Sequence, residues 1–130
     1  MSALYVDTSA LGRMLFNEPE KPAIEHELAQ YSTRWSSQLL YVELWRLALR
    51  HGLLDPALRL LRGLALITLA EPTLRSAATI EPTSVATLDA IHLATAVRLH
   101  ADGELDAMLT YDARLAEGAR HHGIDVRSPT

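Results

Sequence analysis

Leu4-Tyr5-Val6-Asp7-Thr8-Ser9 is the stretch that decides the fold. Three apolar residues in succession are too few for a helix and suit a short strand buried on both faces. Thr8 and Ser9 then offer a hydroxyl cap to a following helix, which the pattern carries to residue 15 or 16. A buried strand that passes straight into a helix is the first half of a βα unit. Asn17-Glu18-Pro19 breaks that helix.

The alternation continues outward from there. Further helices are predicted at about 22–30, 38–51, 55–63, 72–80, 87–100 and 113–121, and strands at 34–37, 64–69, 107–110 and 125–127. Pro22 and Pro72 open helices, Asp55-Pro56 caps another, and Gly52, Gly103 and Gly123 act as stops. Short strands alternating with helices mean an α/β fold, with a mostly parallel sheet covered on both faces. No repeat, low-complexity segment or linker interrupts the pattern, so residues 1–130 read as a single domain.

Composition narrows the function classes. With 48 % hydrophobic residues the chain can bury a real core, which argues against disorder. It has no cysteine, so it builds no disulfide framework, thiolate zinc site or iron–sulfur cluster. No apolar stretch reaches spanning length, and the N-terminus lacks the basic flank and long apolar run of a secretory signal. A cytoplasmic protein with no membrane partner is expected. The net charge of −4 does not announce nucleic-acid binding through bulk charge. That is weak evidence against a nuclease, because a carboxylate cluster becomes locally cationic once metals load.

Four acids stand out because each sits in an apolar frame: Asp7, Glu43 within Tyr41-Val42-Glu43-Leu44-Trp45, Asp89 within Leu88-Asp89-Ala90-Ile91-His92, and Asp112 after Leu109-Thr110-Tyr111. A carboxylate beside apolar neighbours is expensive to desolvate unless it is paired, hydrogen-bonded or metal-bound. Asp7 and Asp112 directly follow buried strands, and ligands of such sheets bind beyond the carboxyl ends of the strands. Asp89 in a first helical turn and Glu43 within a helix can lean over the same rim. Each acid also has an explanation by itself. Asp7 and Asp112 can cap helices, Asp89 can complement a helix dipole, and Glu43 can pair with Arg46 or Arg50. His92 reads first as a core histidine with a satisfied hydrogen bond, and Asp106 as a surface charge at the far end of its strand. Taken together, four convergent carboxylates ask for a hard divalent cation. Without one, at least one of them should hold its proton above the usual range. Thr8, Ser9 and Thr110 supply supporting hydroxyls, and Arg13, Arg46 and Arg114 are candidate phosphate contacts. Zinc-type His spacing, a glycine-rich phosphate loop and a nucleophile elbow are all missing from the sequence.

These residues resemble the PIN-domain ribonucleases of the VapC toxin type. Val6-Asp7-Thr8-Ser9-Ala10-Leu11 matches the first motif of that family, and Glu43 in a helix after Ser36-Ser37 the second. Leu88-Asp89-Ala90-Ile91-His92-Leu93-Ala94 matches the third. Leu109-Thr110-Tyr111-Asp112, with Arg114-Leu115 and the tail Gly123-Ile124-Asp125-Val126, matches the fourth. The motifs span nearly the whole chain in order, with no acidic position substituted. The resemblance implies a PIN-like three-layer fold with sheet order 3-2-1-4-5 and Mg²⁺- or Mn²⁺-dependent cleavage of RNA. It also implies homodimers and a cognate VapB-type antitoxin. By resemblance, Asp7, Glu43, Asp89 and Asp112 are the catalytic and metal-binding residues.

Three alternatives stay open at this point. One is a PIN-domain nuclease of RNA processing that is not a toxin, and another is a non-catalytic PIN-like module that binds RNA. A receiver-like signalling domain would need adjacent acids after the first strand and a late lysine, whereas Lys21 is the only lysine. Leu11, Met14, Leu15 and Phe16, with Leu40, Leu44, Leu47 and Ala48, either pack as core and dimer contacts or line an apolar groove for an amphipathic helix.

Overall fold

The computed structural model describes residues 2–130. Its elements run β1 (Ala3–Val6), α1 (Thr8–Leu15), α2 (Lys21–Ala29), β2 (Thr33–Ser37), α3 (Gln38–His51) and α4 (Leu54–Leu61), then β3 (Ala65–Ile67), α5 (Glu71–Thr79), α6 (Thr87–Ala101), β4 (Ala107–Leu109), α7 (Ala113–His121) and β5 (Asp125–Arg127). The strands form one five-stranded sheet in the order β3-β2-β1-β4-β5, and every pairing is parallel. This is the expected α/β architecture and strand order. Among the described residues no helix is long and apolar enough to cross a membrane.

Strand periodicity sorts the core into two layers. Successive side chains of a strand point to opposite faces. Leu4 and Val6 of β1, with Ala107 and Leu109 of β4, pack with Leu11, Met14, Ile24, Leu40 and Leu44 from α1 to α3. Tyr5 and Met108 face the other way, towards Leu93, Leu99, Leu115 and Ile124. Burying one such large apolar side chain contributes roughly 1.5–3 kcal/mol, so the two layers together hold the central strands firmly. α6 differs from its neighbours because its middle, His92 to Ala96, is buried all round, with Ala90 and Leu99 also out of solvent. Gly118 of α7 lets that helix approach α6, since a β-carbon there would stand 2.8 Å from Val85 Cγ2 and 3.0 Å from Leu93 Cδ2.

The residues expected either as core or as a groove resolve towards the core. Leu11, Met14, Leu15, Leu40, Leu44 and Ala48 are all buried, and Leu47 packs against them. Of that set Phe16 remains exposed, at 38 %. Several element boundaries shift by one or two residues from expectation, those of β3 and α4 among them. β3 stops at Ile67 rather than residue 69 because its partner ends at Ser37, where α3 begins, so no backbone remains to pair with. α4 begins at Leu54, one residue before the expected Asp55 cap, and has no side-chain cap. Gly52 turns the chain at φ 67°, and Leu53 alone then links α3 to α4. Asp55 and Pro56 consequently lie in the first turn, where the proline's missing N–H is not needed.

Candidate active site

The sheet fixes where the acids meet. Connections from β1 run to β2 on one side, while β4 lies on the other, so the carboxyl ends of β1 and β4 flank a switch in strand order. Asp7 leaves β1 there, and its N–H donates to Leu109 O of β4 at 3.0 Å. Asp112 follows β4 as the N-cap of α7, with Leu115 N donating to its Oδ1 at 2.8 Å. Asp7 is the N-cap of α1. The capping explanation therefore holds for both, and it is the same geometry that presents them at the rim.

Asp7 is 3 % exposed and is stabilised by donors on one oxygen only. Ser9 Oγ and Thr110 Oγ1 donate to Oδ2 at 2.7 and 2.9 Å, and Ser9 N approaches the same oxygen at 3.4 Å. Tyr111 N donates to Ser9 Oγ and Asp112 N to Thr110 Oγ1, which ties the two strand ends into one network. Glu43 repeats the pattern. Thr8 Oγ1 donates to its Oε1 at 2.7 Å, and His92 Nε2 lies 2.8 Å from the same atom. Glu43 thus pairs with a hydroxyl and an imidazole, not with Arg46 or Arg50. The hydroxyls of Thr8, Ser9 and Thr110 each donate to one of these acids.

Asp89, in the first turn of α6, responds to this gathering of charge. Burial pushes its carboxyl up from 3.8 to about 6, and the charges of Asp7 and Asp112 push the same way. That is the raised acid expected of a carboxylate cluster without a cation. Glu43 behaves oppositely: burial raises it, but the His92 hydrogen bond and charge and the Thr8 hydroxyl hold it below its usual value. Burial pulls His92 down, yet its hydrogen bond to Glu43 and the charges of Asp7 and Glu43 raise it overall. His92 is fully buried, its Nδ1 lies 2.7 Å from Tyr5 Oη, and its Nε2 lies 3.8 Å from Asp7 Oδ1.

The oxygens left over define what the site can bind. Asp7 Oδ1, Glu43 Oε2, Asp112 Oδ2 and both oxygens of Asp89 receive no hydrogen bond among the described residues. None of them belongs to the buried polar atoms that lack a partner. They are hard, accessible donors in a field of excess negative charge, which is the chemistry of a Mg²⁺ or Mn²⁺ site. They do not form a closed cage, because no three described His, Asp or Glu side chains stand together at ligating spacing. Mg²⁺ needs no such cage, since it keeps several waters and takes one or two carboxylates.

The arginines are dispersed. Arg13 pairs with Glu20 at 3.8 Å and lies 4.4 Å over the Tyr111 ring, while Arg46 and Arg114 are exposed on α3 and α7. Asp106 marks the opposite end of the sheet, where its Oδ2 accepts from Ala3 N at 2.7 Å. A cavity of about 610 Å³ beside β5, lined by Tyr31, Arg120 and Arg127 among others, contains none of the four acids.

The PIN domain family matches residues 4–121. Over 97 % of its length the chain is 40 % identical to Ribonuclease VapC47 of Mycobacterium tuberculosis strain CDC 1551 / Oshkosh, of which 96 % is covered. It is 36 % identical to Ribonuclease VapC46 of Mycobacterium tuberculosis strain ATCC 25618 / H37Rv, with both chains covered in full. The chain belongs to the VapC group of PIN-domain proteins. A solved structure described as a toxin-antitoxin complex from Klebsiella pneumoniae superposes with TM-score 0.73, covering 99 % of this chain and 98 % of that one. At 22 % identity that likeness speaks for the PIN fold alone. Within this fold the residues that sequence reasoning passed over are Tyr5 and, as a hub of the network, His92. A tyrosine inside an otherwise apolar strand was the available signal, because a buried hydroxyl has to find a partner.

Proposed function

We propose that this PIN-domain protein is a divalent-metal-dependent endoribonuclease and the toxin of a VapBC-type pair. The observation that carries the reading is the shared rim: Asp7 and Asp112 follow the adjacent strands β1 and β4, Thr8 beside Asp7 holds Glu43, and the charges of Asp7, Asp112 and Glu43 all act on Asp89. Identity of 36–40 % over nearly the full length to proteins named VapC ribonucleases supports the substrate class. Asp7 and Asp89 are the principal metal ligands in this reading, with Asp112 and Glu43 completing the acidic cup. When bound, Mg²⁺ or Mn²⁺ supplies the charge that activates a water near neutral pH and offsets charge gathering on the phosphate.

The chain's own residues do the positioning. Ser9 and Thr110 fix Asp7 through Oδ2 and leave Oδ1 free. Thr8 and His92 do the same for Glu43 through Oε1. Asp89 has to be ionised to serve, so cation binding to the metal-free protein strengthens as pH rises through about 6. In-line attack forms a bond from water oxygen to phosphorus and breaks the bond to the 3′ oxygen, which leaves as a hydroxyl and yields a 5′-phosphate. No ribose 2′-OH chemistry is involved, so preference for RNA resides in the surface around the rim. Arg13, Arg46 and Arg114 are the phosphate contacts proposed there. The protein acts as a homodimer in the cytoplasm, and a VapB-type antitoxin restrains it. Exposed Phe16, Tyr41, Val42 and Leu49 supply apolar surface for such contacts.

The test is cleavage of RNA by purified protein in Mn²⁺ or Mg²⁺. Asp7→Ala should abolish cleavage while melting cooperatively. Cleavage by that variant at the wild-type rate refutes the assigned chemistry. Co-expression with the reading frame upstream separates a toxin from a processing nuclease: that product should co-purify and relieve growth arrest.

A further inference from the structure

Glu43 reaches the rim on a long side chain from the middle of α3, and its side chain is 23 % exposed. Three rotatable bonds would let it wander into solvent at an entropic gain. Two anchors prevent this, and both take the same oxygen, Oε1. One anchor, Thr8, is on the rim itself. The other, His92, lies beneath it, fully buried, with each ring nitrogen engaged. With Glu43 ionised, Nε2 carries a proton and donates to the carboxylate. Nδ1 then meets the hydroxyl of Tyr5 at 2.7 Å, and the two rings pack edge to face at 74° with centroids 5.8 Å apart. Tyr5 is fully buried in β1, between β2 and β4. The path therefore runs from the central strand through α6 to α3, and its first two side chains, Tyr5 and His92, are fully buried.

We propose that Tyr5 and His92 are a buried positioning pair that sets the carboxylate of Glu43 in the acidic rim; this rests on the nuclease reading above. Neither side chain touches RNA or the cation. His92 spends its Nε2–H on Oε1, which leaves Oε2 as the atom Glu43 presents. Tyr5 fixes the plane of the imidazole, without which the Nε2–H has no set direction. Partners that orient a liganding residue from behind are typically worth about 10–100-fold in metal affinity or activity.

The experiment is a mutant cycle on the full chain with two readouts: steady-state cleavage of a short RNA in Mn²⁺, and calorimetric Mn²⁺ binding to metal-free protein. Tyr5→Phe keeps the ring and removes the hydroxyl. His92→Gln keeps a donor towards Glu43 on a looser chain. Both should lower kcat with KM for RNA unchanged, His92→Gln by about 10-fold or more, and both should weaken Mn²⁺. In a Glu43→Gln background neither should weaken Mn²⁺ further, because the residue they act through is gone. Melting curves report folding, and if His92→Gln fails to fold, Tyr5→Phe carries the cycle alone. Unchanged kcat in Tyr5→Phe, or equal losses with and without Glu43, overturns the proposal and leaves the pair as core packing. If wild type neither cleaves RNA nor binds Mn²⁺, the nuclease reading itself falls and takes the pair with it.

Discussion

Asp89→Asn should make the metal-free protein more stable at neutral pH, although it removes a residue from the site. The folded state raises the Asp89 carboxyl from 3.8 to about 6, by burial first and by the charges of Asp7 and Asp112 second. The folded protein therefore holds this proton more tightly than the unfolded chain. Below about pH 3.8 the group is neutral in both states and costs nothing. Between 3.8 and 6 the unfolded state ionises first, so stability falls as pH rises, and above 6 the full penalty is present. A shift of roughly two pKa units corresponds to about 3 kcal/mol at most. Asp89 is only half-buried, and solvent screening reduces that to about 1–2 kcal/mol. For a chain of this size the gain in Tm is roughly 3–8 °C. Calorimetry of wild type and Asp89→Asn in a chelator, at pH 4 and pH 7.5, measures it. The variant should melt higher at pH 7.5, with the gap closing towards pH 4. Millimolar Mg²⁺ should then raise wild type more than the variant, because binding to the folded state alone is stabilising. A variant less stable than wild type at pH 7.5, or a gap independent of pH, would refute the account of the rim as uncompensated negative charge.

Two further outcomes test the scaffold. Gly118→Ala places a β-carbon 2.8 Å from Val85 Cγ2 and should destabilise by about 1–3 kcal/mol in urea titration, as overpacking does. Ser37→Ala removes the hydroxyl that accepts from Leu39 N at the start of α3, and should lower stability by about 1 kcal/mol in the same titration without changing the catalytic rate per folded molecule.

Most of the element order could be read before any coordinates because local and tertiary signals agree. Gln38 to Gly52 shows this: a long apolar helical run and a glycine stop both point to one helix, and α3 is that helix, capped in the structure by Ser37. The edges of elements were less legible where the deciding partner is distant in sequence. β3 is short because β2 ends at Ser37, thirty positions earlier, and nothing within residues 64–69 encodes that. The acids were visible as costly charges in apolar frames. Their individual hydrogen bonds were not, because Thr8 meets Glu43 and Ser9 meets Thr110 only after the strands align. His92 reads in sequence as a core histidine with a satisfied hydrogen bond, and it is one; its partners Tyr5 and Glu43 are what the sequence does not name, because they lie 87 and 49 positions away.

The helix whose middle is buried all round, α6, carries Asp89 in its half-buried first turn and His92 one turn later. Its middle, His92 to Ala96, has no solvent face, so those amides should exchange with deuterium only when the entire molecule opens. Release of His92 from Glu43 is then tied to global unfolding, whereas the exposed first turn that carries Asp89 can open by itself.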